Sequence, residues 1–519
     1  MKKRTIKYLS LLLVFVLLLS GCMKNKKENI LPENEIKTIT LQMRQTDSFN
    51  PLLITHSSVR DAFSLCYEPL FAINNKIETE GVLARNIEVS DDCLSAIITL
   101  KDSVLWHDGV KFTSADVVHT INFLQENPSS EYAEQVKNID SAVAIDPLSL
   151  KIELNRPYGQ IAYSLTFPIV AAHNDKLDEK IIGTGAYKFS KYTPAAVLSL
   201  VAYDKWHGGE ATYTNVEINI IRDDLSATAA FNEEIINAVT DNVYDRQNSN
   251  PKQNTRTTSY PSLQYEYMAI NHVGTIFSSP TVRSAVSSAI DRSAIVQNCY
   301  MGNAMEANAP IHPAAQDLAE SSILSQYNLS GASEMLFLEG YVIDESTQLL
   351  TDSEGNKLSF TLLVNEDNPE RVKTAQLLSQ QLFAAGIEVK VSEMPFEEYV
   401  ENIESGNYEA YLGGIILSNP YDYESLLGAE GVLNNYGGES ESIELALSAL
   451  CSAPTTDSLS DAAFNFEEVF LREQPVCGLL FKTNSLMTTK NVLGKLMPTV
   501  NYPYRNLWNW SKAEDPKTK

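Results

Sequence analysis

Positive charge is what this chain has least of. Its 519 residues carry 40 Lys and Arg against 66 Asp and Glu, a formal net charge of −26 at pH 7. A surface of that sign repels phosphate backbones and anionic headgroups, so no nucleic-acid partner is expected. Cysteine pairs are missing too. Six cysteines occur, none in Cys-x-x-Cys spacing, and beyond Cys22 there remain Cys66, Cys93, Cys299, Cys451 and Cys477. Five is odd, which excludes a complete disulfide framework. One bridge, such as Cys66 to Cys93, stays open beside the reading as scattered buried thiols. Histidine is sparse: the seven, at 56, 107, 119, 173, 207, 272 and 312, never come within five residues of one another. No sequence-local metal set and no cofactor is expected. Catalytic motifs are absent as well. There is no Gly-x-Ser-x-Gly and no His-Glu-x-x-His. Gly183-Thr184-Gly185 is followed by no Lys-Ser/Thr in P-loop spacing, so it reads as a tight linker. Asp91-Asp92 and Asp223-Asp224 are the paired carboxylates of any acidic chain and carry no glycosidase signal. The expectation is a protein without catalytic residues, not an enzyme.

Long apolar runs are also missing, with one exception. Behind Lys2, Lys3, Arg4 and Lys7, residues 9–19 are almost wholly apolar. At 11 residues the run is too short for the roughly 20 that a spanning helix needs. A basic start, an apolar middle and small residues make a secretory signal, expected over 1–21. Leu19-Ser20-Gly21-Cys22 ends it, and this pattern resembles the lipobox of bacterial lipoproteins, where the cysteine thiol takes a diacylglycerol. Two acyl chains suffice for stable anchoring. An ordinary signal followed by a coincidental cysteine is the plainer alternative. Residues 22–35 are polar and without period, as a flexible tether is. The exported part loses four positive charges and no acidic ones, which leaves it at −30. The expected protein is a lipid-anchored globule on the outer face of the cytoplasmic membrane.

Along the rest of the chain, strand and helix signals alternate without repeats. Residues 36–43 alternate apolar and polar, as a half-buried strand does. Residues 86–100 read as a hairpin turning at Ser90-Asp91-Asp92, and 141–154 as another around Asp146-Pro147. Between them, Thr113 or Ser114 caps a helix through Val117, Ile121 and Leu124. Later, Ser279-Pro280 opens a helix with Val282, Ala285, Val286 and Ala289 on one face. Residues 358–364 and 387–391 are strand-like and enclose a helix that Asn368-Pro369 opens and Gly386 closes. That is a βαβ unit with a right-handed crossover. An α+β unit over about 70–180 and a later α/β lobe imply a cleft between lobes, where hinge closure encloses a small ligand.

Several runs resemble one family in order and spacing. They are Tyr67-Glu68-Pro69-Leu70-Phe71, Leu83-Ala84-Arg85, Trp106-His107-Asp108-Gly109 with Phe112-Thr113-Ser114-Ala115-Asp116-Val117, and Gly183-Thr184-Gly185-Ala186-Tyr187. Further on come Val282-Arg283-Ser284-Ala285 with Ala289-Ile290-Asp291-Arg292, and Tyr300-Met301-Gly302 with Pro310-Ile311-His312-Pro313. Together they resemble extracellular solute-binding protein family 5, the oligopeptide, dipeptide and nickel receptors of ABC importers. The resemblance implies a two-lobed α/β fold of the periplasmic-binding-protein kind. Lobe I would comprise 36–70, 181–270 and 480–510, an inserted α+β subdomain 71–180, and lobe II 271–479. It implies a monomer that captures a peptide or peptide-like solute and delivers it to permease subunits. A metal complex or sugar as cargo, a signalling role and an exported hydrolase are the alternatives. The motifs have structural readings of their own: Trp106 packs under a turn made by Asp108 and Gly109, and Asp291-Arg292 makes capping and ion-pair contacts at its helix end.

Cargo chemistry turns on residues 411–427. Peptide receptors of the family read Gly-Trp-x-Ala-Asp-Tyr-x-Asp-Pro there, and the aspartate pairs with the peptide α-ammonium. In this chain the aromatic position falls on Ile415, next to Ile416, and the aspartate position on Ser418. The acidic anchor is missing, and Asp422 replaces it only if the loop is shifted; otherwise Asp422 is a turn residue after Pro420. By family position, His56 and Ser58 line the cleft. Lys482 either holds a ligand carboxylate or is a surface charge.

Overall fold

The computed structural model describes residues 37–241, 251–252, 255–315, 327–429, 431–433 and 440–512. The expected signal 1–21, Cys22 and the tether to residue 35 lie outside the described residues. Strand β1 (Thr38–Met43) buries Ile39, Leu41 and Met43 completely, as its alternation demands. A short helix, α1 (Ser57–Phe63), follows, capped by His56. The first hairpin forms as β2 (Ala84–Val89) and β3 (Ser95–Leu100). Helix α2 (Ser114–Glu126) starts at Thr113 in a capping box closed by Asp116. The second hairpin, β4 (Ile139–Asp146) and β5 (Ser149–Leu154), joins the first in an antiparallel sheet ordered β2–β3–β5–β4. The chain then adds β6 (Tyr187–Thr193), β7 (Val197–Ala202) and β8 (Asn215–Ile220), and β8 pairs β1 in parallel. One core packs both sheets: Leu41, Ile152, Ile121 and Leu200 share it with Leu507 and Trp510 from the far end of the chain.

The second half is organised by two long strands. After β9 (Ala238–Thr240) comes β10 (Arg256–Ile270), 15 residues long. Helices α3 (Pro280–Ser288) and α4 (Arg292–Cys299) and the short β11 (Ala304–Glu306) lead to the βαβ unit. It consists of β12 (Ser359–Asn365), α5 (Pro369–Ala384) and β13 (Glu388–Met394), with β12 and β13 parallel. Asn368 caps α5, and Gly386 follows it at φ +81°. Then β14 (Ala410–Ile416), α6 (Glu441–Cys451) and α7 (Thr456–Glu473) precede β15 (Val476–Thr488). The sheet runs β9–β15–β10–β14–β12–β13, with β11 on β15.

Strand periodicity sends neighbours to opposite faces of this sheet. Tyr267, Leu363 and Tyr411 enter a core with Phe466 and Phe470 of α7, while Met268, Leu362 and Leu412 enter one with Leu378 and Leu382 of α5. Each fully buried side chain of this size stabilises by roughly 1.5–3 kcal/mol. The β10–β15 ladder extends from Arg256↔Thr488 to Ala269↔Val476. One end reaches the first core, through Tyr260 and Leu486, and the other lies between the two later cores. Its register breaks between Pro261 and Tyr265, where a proline without an N–H falls inside a strand.

The two signature turns meet. His107 donates its backbone N–H to the Gly183 carbonyl (2.9 Å), and the Gly183 N–H donates to His107 Nδ1 (3.2 Å). Trp106 is fully buried beneath its turn and donates Nε1–H to Asp116 (3.3 Å). Asp291 caps the helix that follows it, α4, by accepting from the Ala294 N–H (2.9 Å). Arg292 makes no ion pair among the described residues: it is buried and donates to the carbonyls of Gly478 and Ser287, which corrects the expected ion-pair contact. Cys66, Cys93, Cys299, Cys451 and Cys477 are free and buried, so no bridge joins Cys66 to Cys93.

Candidate functional site

Helix α1 begins the site. Its residues Val59, Ala62 and Phe63 are in the core, and the opposite positions Ser57, Arg60, Asp61 and, one turn on, Ser64 line a cavity of about 400 Å³. These are positions i, i+3, i+4 and i+7, one face of a helix. A second wall comes from Glu131, Tyr132 and Gln135, ahead of β4. The third comes from the irregular stretch of β10, where Tyr260, Ser262 and Gln264 line the space, joined by Asn484 of β15. The Leu417 N–H donates to the Leu263 carbonyl (3.0 Å), which holds the chain beyond β14 against the irregular stretch and brings Ile416 and Ser418 to the wall. Tyr502, from the tail, closes one side.

The electrostatics are simple. Among the described residues, Arg60, Asp61 and Glu131 are the charged residues of the wall. Arg60 pairs with Glu131 and also donates to the Thr55 carbonyl (2.6 Å). Asp61 is half-buried, and loss of water, with Asp241 nearby, pushes its carboxyl up to about 7 against the pull of Arg60. Among the described residues no three His, Cys, Asp or Glu side chains gather to hold a metal ion.

The residues singled out in the sequence divide. Ile416 and Ser418 stand on the wall, Ile416 being 73% exposed. Ile415 points the other way, as strand alternation requires, and packs on the tyrosine-rich core. Asp422 is not on the wall. It is buried, and its carboxylate accepts from Arg156 (3.2 Å), from the Tyr158 hydroxyl (3.2 Å) and from the Glu424 N–H (3.2 Å). His56 and Ser58 also lie off the wall: His56 Nδ1 accepts from the Ser58 N–H (3.2 Å), its Nε2 lies 3.3 Å from Arg44 Nε, and the Ser58 hydroxyl accepts from the Arg44 backbone N–H (3.1 Å). Lys482 is turned to Glu370 (3.1 Å) and stands over the Tyr300 ring. The sequence reading missed Arg60, Asp61, Tyr260 and Asn484. For the first two a signal existed, since polar residues at helical spacing opposite an apolar face mark the exposed side of a helix.

A profile of the bacterial extracellular solute-binding proteins, family 5 (middle part), matches residues 78–435. The chain belongs to this family. The oligopeptide-binding protein AppA of Bacillus subtilis (strain 168) is 24% identical over 544 residues, which covers 98% of this chain and 98% of AppA. The solved structure of Bacillus subtilis AppA in complex with a nonapeptide matches with a TM-score of 0.63 at 22% identity, over 92% of this chain and 99% of that one. NikZ from Campylobacter jejuni in complex with Ni(L-His) matches with a TM-score of 0.65 at 21% identity, over 93% and 100%. The family-5 fold is therefore the two-lobed α/β fold of periplasmic binding proteins. These relatives are named for binding, in keeping with a protein that is not an enzyme. An extracellular family of importers places the work of this member outside the cytoplasm. No helix of the described residues is long and apolar enough to cross a membrane.

Proposed function

We propose that this family-5 member is a lipid-anchored receptor that captures a peptide or peptide-like small solute by hinge closure and delivers it to an ABC permease. The observation that carries the reading is the cavity of about 400 Å³, whose wall combines helix α1 with the irregular stretch of β10 and the end of β14. Its size falls in the range of small-ligand sites, and its lining mixes aromatic rings with neutral polar groups. In this reading lobe I is 36–70, 181–270 and 480–510, the insert is 71–180 and lobe II is 271–479. Strands β10 and β15 are the crossing strands. A ligand touching both lobes favours the closed form, which the permease then recognises. Cys22 holds the monomer at the outer face of the membrane.

Native mass spectrometry of protein purified gently from its host tests the cargo. A family of bound di- to pentapeptides is expected, whereas a single non-peptide compound would overturn the peptide assignment. For the anchor, Cys22→Ala is expected to leave the protein unlipidated and soluble. Continued partition with membranes would count against the tether.

A further inference from the structure

The geometry points to Asp61 as the residue that pairs with a protonated amino group of the ligand. This rests on the solute-receptor reading above and names the chemistry of one end of the cargo. Among the described residues three charges face the cavity, and two of them cancel: Arg60 pairs with Glu131 and donates to the carbonyls of Thr55 and Ile54. The Asp61 carboxylate takes part in no hydrogen bond or ion pair among the described residues, although it is half-buried on the wall. A carboxylate removed from water without a partner is unfavourable, and a cation entering the cavity supplies the missing interaction. Tyr132 and Tyr260 stand near it and Tyr502 lines the same cavity, and their rings and hydroxyls suit an ammonium. Across the cavity Ser418, Gln264 and Asn484 offer neutral polar groups and no competing charge.

Binding of this kind releases a proton. The groups facing Asp61 are Arg60 on its own helix, Tyr132 and Glu131 ahead of β4, Asp241 after β9, Tyr260 on β10 and Tyr504 in the tail. With its carboxyl at about 7 in the empty cavity, Asp61 is mostly protonated at pH 6 and mostly ionised at pH 8. An adjacent ammonium favours the ionised form, so affinity is expected to rise severalfold across that interval, short of the tenfold gain in ionised Asp61 because the peptide α-ammonium itself titrates at about 7.7–8.0.

The test uses the purified full chain and a pool of di- to pentapeptides free of Arg and His, offered as such and after acetylation of every amine. Native mass spectra and titration calorimetry at pH 6 and pH 8 read retention, affinity and proton release. Wild-type protein is expected to retain the free pool and to lose at least tenfold with the acetylated one. Asp61→Asn is expected to lose at least tenfold for the free pool and its pH dependence, with both partly restored by Asp61→Glu. The Asn variant should melt no lower than wild type at pH 8, since it removes an unpartnered charge. Equal binding of free peptides by Asp61→Asn and wild type, or of both pools by wild type, would overturn the assignment and leave the receptor reading intact. Retention of neither pool by wild type would overturn the peptide reading, and the Asp61 assignment with it.

Discussion

Gly414 has no room for a side chain because a buried ion pair fills the space. A Cβ there would lie 2.5 Å from Arg371 Nη2 and 2.5 Å from Glu266 Oε1. Arg371 Nε donates to Glu266 Oε2 at 2.8 Å, and Glu266 is 2% exposed. Removing one member of such a pair strands the other charge, which costs about 3–5 kcal/mol. Glu266→Ala is expected to show that loss in urea unfolding. Gly414→Ala should harm wild type but cost clearly less in the Glu266→Ala background, because the two sites share atoms. Additive losses would refute the steric account. A second residue-scale effect follows from His312. It is 1% exposed, and burial lowers its pKa to about 4, against a pull from the Ser262 backbone. The unfolded chain takes up a proton at about 6.5 and the folded one only near 4, so this contribution is complete above the first value and is lost as pH falls toward the second. The melting temperature is expected to decline between pH 6.5 and pH 4, less so in His312→Gln. An equal decline in both would assign the acid sensitivity elsewhere.

Elements were legible where their signals are local. Asn368 and Pro369 start α5, Gly386 ends it, and Thr113 starts α2, since capping is decided by neighbours in sequence. The hairpins turning at 90–94 and 147–148 are read the same way. The site was legible only in part, because its wall gathers α1, the stretch ahead of β4, β10, β14, β15 and the tail. Ile416 and Ser418, which the family pattern singles out, stand on that wall. His56 and Ser58, expected in the cleft by family position, stand off this wall because α1 starts at Ser57 and its cavity face falls on 57, 60 and 61. The meeting of the two signature turns was likewise invisible until their backbones docked. Gly183 also passes close to the backbone after α1, since a Cβ there would lie 1.8 Å from the Cys66 carbonyl oxygen. Gly183→Ala is therefore expected to destabilise by at least about 2 kcal/mol, with thermal unfolding as the measurement. An unchanged melting temperature would mean that the linker yields freely.

At the scale of the whole molecule, the proposed receptor reading makes closure and recognition separable. The loop after β14 is tied to residues that precede β6: Asp422 accepts from Arg156 and Tyr158, and Asn419 donates to the Tyr158 hydroxyl (2.7 Å). Nearby, the Gly159 N–H donates to the Cys451 carbonyl (2.7 Å) and Gln160 to that of Ala453 (2.6 Å). None of these eight residues lies on the cavity wall. If they join the insert to lobe II, they belong to the closed form and contribute to its population rather than to ligand contact. The affinity of any cargo is reduced by the fraction of molecules able to close. Arg156→Gln, which loosens the tie by about 1.4 kcal/mol, is then expected to weaken every ligand by one common factor of up to about tenfold. Its order of preference among cargoes should stay fixed, and small-angle scattering should show a larger unliganded particle. Asp61→Asn differs in kind, because it should reorder preferences by penalising free amines. A loss of melting temperature in Arg156→Gln without any change in affinity would reduce the tie to a folding contact, and closure would then have to be governed by the β10–β15 ladder alone.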